Sequence, residues 1–189
     1  MRDALRMAVL CVVALAAPCA GALTLDALMR QMAAVGERHG SFVETKEMAL
    51  LNGPIVRRGT LDYTRPDRLS MRVETPYFER VDVVGDQVTL ERRTGVTRVA
   101  LAAQPQLAAW IDSLRATLAG DGATLERHFE VRVDGTDADW RLSLVPRDAA
   151  LRAIIERVDV AGRGADVTRF AIDEAKGDRT RIVIAPRAP

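Results

Sequence analysis

Two histidines, His39 and His128, are the only imidazoles in the 189-residue sequence. Each stands among charged or turn residues, without a partner at the spacing by which one helix face presents two ligands to a metal ion. Both cysteines, Cys11 and Cys19, fall in the first 22 residues. Ser41, Ser70, Ser113 and Ser143 lack the Gly-x-Ser-x-Gly surround of a nucleophile elbow. A transition-metal centre and a hydrolase triad are therefore not expected: no catalytic residue or metal ligand is assigned, no cofactor is implied, and the chain does not read as an enzyme. Asp134-Gly135-Thr136-Asp137-Ala138-Asp139 alternates carboxylates as calcium loops do. It lacks the later bidentate glutamate and lies between two strand patterns, so it reads as a hairpin loop. Gly162-Arg163-Gly164 joins strands instead of opening a helix and offers a phosphate no dipole. Arg57-Arg58 and Arg92-Arg93 read as solvated strand faces.

With reactive groups so sparse, the apolar pattern carries the functional signal. Residues 1–22 read as a secretory signal peptide: Arg2 and Arg6, then the uncharged run Met7 to Ala17, then Ala20-Gly21-Ala22. That run is too short for a helix that must span a bilayer with about 20 residues. Cys19 follows Pro18 with no leucine three residues before it, so lipidation there is not expected. Removing Arg2, Arg6 and Asp3 takes the formal net charge from +1 to zero. Nucleic-acid binding, which needs a surplus of cations, is excluded as an expectation. The expected mature protein, 23–189, is a single domain without cysteine.

Thr24 is placed to cap a helix carrying Leu25, Leu28, Met29, Met32 and Val35 on one face. Six strands follow, near 40–51, 55–64, 68–75, 78–84, 87–93 and 96–101, separated by turn residues such as Asn52-Gly53-Pro54 and Gly85-Asp86. The short connections predict an antiparallel meander. Pro105 then opens a second helix striped by Leu107, Trp110, Ile111, Leu114 and Leu118, ending before Gly120, and a short helical turn is expected at 123–127. Five more alternating runs centre on Val131, Leu142, Val158, Phe170 and Ile182. Leu69, Met71 and Val73 alternate with Ser70, Arg72 and Glu74, so one sheet face is dry and only the helices are available to cover it. The expected fold is mainly β: about eleven antiparallel strands in an unclosed barrel, with a helical lid over an apolar cavity. Leu69, Met71, Val73, Trp110, Ile111 and Leu114 are the candidate cavity-lining residues.

The stretch from Gly59 to Gly85, GTLDYTRPDRLSMRVETPYFERVDVVG, resembles the LolA-like family of periplasmic outer-membrane lipoprotein carriers. Arg65-Pro66 falls on the family's Arg-Pro corner, Pro76 on its later proline, and Phe42 with Lys46 resembles the preceding strand. Leu69 and Met71 stand where the family usually has Phe and Trp, which points to a divergent member with a different acylated cargo. The resemblance implies an unclosed barrel around a cavity for lipoprotein acyl chains, and a corner arginine, Arg65, that hydrogen-bonds to the lid backbone and holds it closed. The implied partners are an acylated lipoprotein or lipid, an inner-membrane exporter and an outer-membrane acceptor. A monomeric carrier in the periplasm is expected. The alternative is a lipid- or protein-sensing module of the same fold, similar to RseB-like regulators, acting on a membrane partner.

Overall fold

A computed structural model describes residues 23–187, the side chains at 105–107, 109 and 110 excepted. Residues 1–22, the segment expected to be a signal peptide, with Cys11 and Cys19, lie outside the described residues. Among the described residues the first element, helix α1 (Leu25–Ala33), begins where the Thr24 hydroxyl accepts from the Ala27 N–H at 3.2 Å, and it buries Leu28, Met29 and Met32. Strand β1 (Glu37–Glu47) starts three residues before the expected position because the chain turns into the sheet as soon as α1 ends. The strands β2 (Ile55–Thr64), β3 (Arg68–Thr75), β4 (Glu79–Val84), β5 (Gln87–Arg92) and β6 (Gly95–Ala100) then pair in sequence order.

A short 3-10 turn at Leu101–Ala103 leads into α2 (Pro105–Ala119) and α3 (Gly122–His128). Pro105 occupies the first turn of α2, where a missing N–H costs nothing, and Gly120 ends it with φ 73°. A Cβ on Gly120 would also overlap the Met29 carbonyl oxygen and Ala33, so this position needs glycine both for its conformation and for the close approach of α1. Asp121 caps α3 by accepting from the Thr124 N–H at 2.9 Å, and its hydrogen bonds with Thr124 hold its carboxyl below the usual range.

The second half contains β7 (Phe129–Thr136), β8 (Asp139–Pro146), the unforeseen short helix α4 (Ala149–Arg152), β9 (Ile155–Arg163), β10 (Asp166–Glu174) and β11 (Arg179–Pro186). The described residues thus form eleven strands in one antiparallel sheet, ordered β6-β5-β4-β3-β2-β1-β11-β10-β9-β8-β7. Two meanders meet where β1 pairs with β11, setting Phe42 opposite Ile184 and Glu44 opposite Ile182. The sheet does not close, since β6 and β7, the strands on either side of the helical crossover, are its two edges.

One face of this sheet is covered. Leu28, Met29 and Met32 of α1, Ile111, Leu114 and Leu118 of α2, and Leu125 of α3 form a single core with Phe42, Leu69, Met71, Val73, Val83, Leu142, Leu144, Val158, Val160 and Phe170 from the strands. The period of two places all these strand residues on the same side. Trp140 is the largest fully buried side chain among the described residues, with its indole N–H donating to the Gly164 carbonyl at 2.8 Å.

Candidate functional site

Among the arginines that tie the helices to the sheet, three lie around α1 and α2. Arg65, at the β2–β3 corner, donates through Nη1 to the carbonyl of Ala33, the last residue of α1, while its backbone N–H donates to Gly36 at 2.9 Å. A cation at a helix C-terminus meets the negative end of the dipole and carbonyls that have no intrahelical partner. Arg38 of β1 does more of this work. Its Nη2 donates to Met32 at 3.0 Å, Nη1 to Leu118 at 3.0 Å, and Nε to the Ala165 carbonyl at 3.3 Å, with the guanidinium 6.0 Å from the Tyr63 ring centroid. One side chain therefore joins the C-terminal turns of α1 and α2 to the β9–β10 turn. Burial, the main influence, pushes its pKa below the usual guanidinium value. The third tie is Arg115 of α2, which donates to the Gly85 carbonyl at 2.8 Å and lies 3.4 Å from Asp67, whose carboxylate accepts from the Gly85 N–H at 3.0 Å.

Three of the cavities among the described residues bear on the site. One of about 400 Å³ lies beside Arg38, lined by Val35, Leu61, Tyr63, Leu118, Val167 and Ile184. A second, also about 400 Å³, opens among α2, α3 and α4, with walls from Ala108, Leu125, Phe129, Leu151 and Ile154 and with Asp112, His128 and Asp148 around it. Burial raises the Asp112 carboxyl above its ordinary pKa. The third, about 300 Å³, faces the sheet and is lined by Met71, Ile154, Ile155, Ile172 and Ile182 together with Glu44, Lys46, Arg57 and Glu174. Ile154 is a wall of both the second and the third.

Of the residues singled out in the sequence, Leu69, Val73, Ile111 and Leu114 lie in the buried core, and Met71 both belongs to that core and lines the third cavity. Trp110 lies on α2, but its side chain falls outside the described residues. Among the described residues, no group of three His, Cys, Asp or Glu side chains is arranged to hold a metal ion. The 134–139 segment forms the hairpin connecting β7 and β8.

The reading of the paired arginines is corrected. Arg58 is exposed, whereas Arg57 points to the covered face and grips Glu44, with Nη2 to Oε1 at 2.6 Å and Nη2 to Oε2 at 2.8 Å. Arg57 also donates to Glu79 at 3.0 Å, and Glu79 in turn accepts from Arg92 at 2.7 Å. Glu44 and Glu79 are 2% and 7% exposed. Burial opposes the charge on Arg57, yet Glu44 and Glu79 hold its pKa above the ordinary value. The sequence signal for this row was available: Glu44, Arg57 and Glu79 each occupy the apolar phase of an alternating strand, Glu44 two residues after Phe42 and Glu79 two before Val81. Arg38 had no comparable signal, because the carbonyls it serves are distant in sequence.

A family model described as outer membrane lipoprotein carrier protein LolA-like matches residues 16–189. No curated protein matches the chain. Among solved structures, a LolA superfamily protein from Nitrosomonas europaea is 10% identical over 86% of this chain and 92% of its own, with a TM-score of 0.47. Lipoprotein LppX from Mycobacterium tuberculosis is 9% identical over 87% and 96%, with a TM-score of 0.43. A DUF1329 family protein from Desulfovibrio piger is 10% identical over 85% and 88%, with a TM-score of 0.46.

Proposed function

Because the chain belongs to the LolA-like outer membrane lipoprotein carrier family, we propose that it is a periplasmic carrier, exported by a cleaved signal peptide, that binds the acyl chains of a lipoprotein or related lipid beneath its helices and shuttles them toward the outer membrane. The observation that supports this reading is the pair of cavities on either side of Ile154, about 300 and 400 Å³, lying between an unclosed sheet and the helices that cover it. Each acyl methylene withdrawn from water contributes about 0.8 kcal/mol, so one long chain supplies roughly 10 kcal/mol of gross burial, offset by ordering and by displacement of the helices. Release then requires that the covered state be held only weakly. An inner-membrane exporter and an outer-membrane acceptor are the partners such a route needs.

Purified protein lacking residues 1–22 is expected to bind a fluorescent fatty acyl probe saturably and to retain lipid through purification, detected by mass spectrometry. Absence of both would remove the carrier reading. Arg65 is proposed as a closing residue. An exposed cation at a helix C-terminus is worth about 0.3–1 kcal/mol, so Arg65→Leu is expected to lower the Tm by no more than a few degrees. The same change should alter the rate of acyl-probe exchange in stopped-flow mixing by about threefold or more. An unchanged rate would make Arg65 a surface corner residue.

A further inference from the structure

The cavity facing the sheet carries charges that an acyl chain has no use for. Glu44, Arg57, Lys46 and Glu174 line it, and the Lys46 ammonium lies 3.5 Å from Glu174 while Arg57 grips Glu44. The ion-pair row continues to Glu79 and Arg92 across β4 and β5. Glu44 is among the least exposed charged side chains of the described residues. Ions buried on this side of the sheet pay a desolvation penalty that apolar side chains of similar volume would avoid, so stability alone is a poor reason for the row.

We infer that this cavity is a head-group site, and that the guest's head is zwitterionic, carrying an ammonium and an anionic group on one small polar unit, with its acyl chain passing Ile154 into the cavity among α2, α3 and α4. The inference rests on the carrier reading above and specifies its ligand class. The four lining charges sum to zero. A head bearing both signs inserts between the pairs with its ammonium toward Glu44 and Glu174 and its anion toward Lys46 and Arg57, so every ion keeps an opposite neighbour. A purely anionic or cationic head brings an uncompensated charge into a half-buried site, and an uncharged head forgoes the charge-assisted hydrogen bonds. The apolar walls set the direction: Ile154 is shared by the two cavities, so a chain anchored by its head at the ion pairs reaches the second cavity by displacing that one side chain.

The test is displacement of a fluorescent fatty acyl probe from the protein lacking residues 1–22 by single-chain lauroyl compounds, each below its micelle threshold. Lauroyl lysophosphatidylethanolamine and Nε-lauroyl-lysine carry zwitterionic heads built on phosphate and on carboxylate, lauroyl lysophosphatidylglycerol is anionic, and monolauroylglycerol is uncharged. At least one zwitterion is expected to displace the probe at about tenfold lower concentration than the anionic and uncharged compounds, and comparison of the two identifies which anion the site prefers. The double substitution Glu44→Met with Arg57→Met removes a matched pair and leaves Glu79 with Arg92; it is expected to abolish the preference while monolauroylglycerol still displaces. Lys46→Met, at a half-buried position, is expected to weaken the preference without loss of folding. Equal displacement by all four compounds, or a preference that survives the double substitution, would overturn the head-group site and leave the acyl reading standing. Failure of the probe to bind at all would instead remove the carrier reading beneath it.

Discussion

Arg57→Met is expected to destabilise the protein by about 3–5 kcal/mol, the usual penalty for stranding buried charge after one partner is removed. The substitution leaves the aliphatic volume almost unchanged, so the loss is electrostatic in origin. Glu44 gives both oxygens to Arg57 at 2.6 and 2.8 Å and is 2% exposed, so without the guanidinium a buried carboxylate loses its ion-pair partner while Lys46 stays paired with Glu174. Glu79 is less affected because Arg92 remains 2.7 Å away. Urea unfolding, with the slope compared between variants, measures the effect. Glu44→Gln combined with Arg57→Met should recover most of the loss, since a neutral amide in place of the carboxylate removes the uncompensated charge. A loss below about 1 kcal/mol for Arg57→Met would put the pair in the class of solvent-screened surface contacts and contradict the buried geometry.

Trp140→Ala should cost a similar amount, about 3–5 kcal/mol, by a different route. Trp140 is 1% exposed and lies opposite Gly135 on β7 and Gly162 on β9. A Cβ on Gly162 would collide with the indole ring and with the Asp166 carbonyl, so the glycine and the tryptophan fill one volume between them. Removing the ring empties that volume, and the hydrogen bond to Gly164 disappears with it. Trp140→Phe separates the two contributions, because it keeps most of the packing and loses the donor, which is worth about 1 kcal/mol. Thermal and urea unfolding read both variants. Trp140 lines none of the three cavities described above, so a destabilised but folded Trp140→Phe protein is expected to bind acyl probe with unchanged affinity.

These two residues show how unevenly the sequence can be read. Trp140 was legible as core because it shares a period-two pattern with Leu142 and Leu144, and the structure buries all three. Arg57 was legible only in its strand phase; what held it there was not, since the neighbours of a basic pair across the sheet are unknown from the sequence. Its partners Glu44 and Glu79 lie 13 and 22 residues away, brought together by the pairing of β1 with β2 and by the run from β2 through β3 to β4. The paired alternation of Arg57 and Arg58 already required that one of them face inward, and that is the clue the row of inward charges supplies.

The candidate site divides the same way. Arg65 is conspicuous in a linear motif, and its contact with the end of α1 is made by a residue at a corner. Arg38 and Arg115, which together make more hydrogen bonds between helices and sheet, sit in unremarked stretches. The hydrogen-bond acceptors reported for them above are backbone carbonyls, which carry no sequence signature.

What the sequence determined by itself is local: the cap at Thr24, the turns between strands, the alternation that makes each strand dry on one side, and hence a one-sided sheet that helices must cover. These follow from interactions among residues a few positions apart, where residue type and spacing decide the geometry. The tertiary structure alone decided that β1 pairs with β11, that β6 and β7 remain as edges, that Arg38 gathers two helix ends, and that Glu44, Arg57, Glu79 and Arg92 meet on the covered face. Such contacts depend on register between distant strands, and a register is chosen by the burial of the entire sheet face rather than by any short stretch of chain.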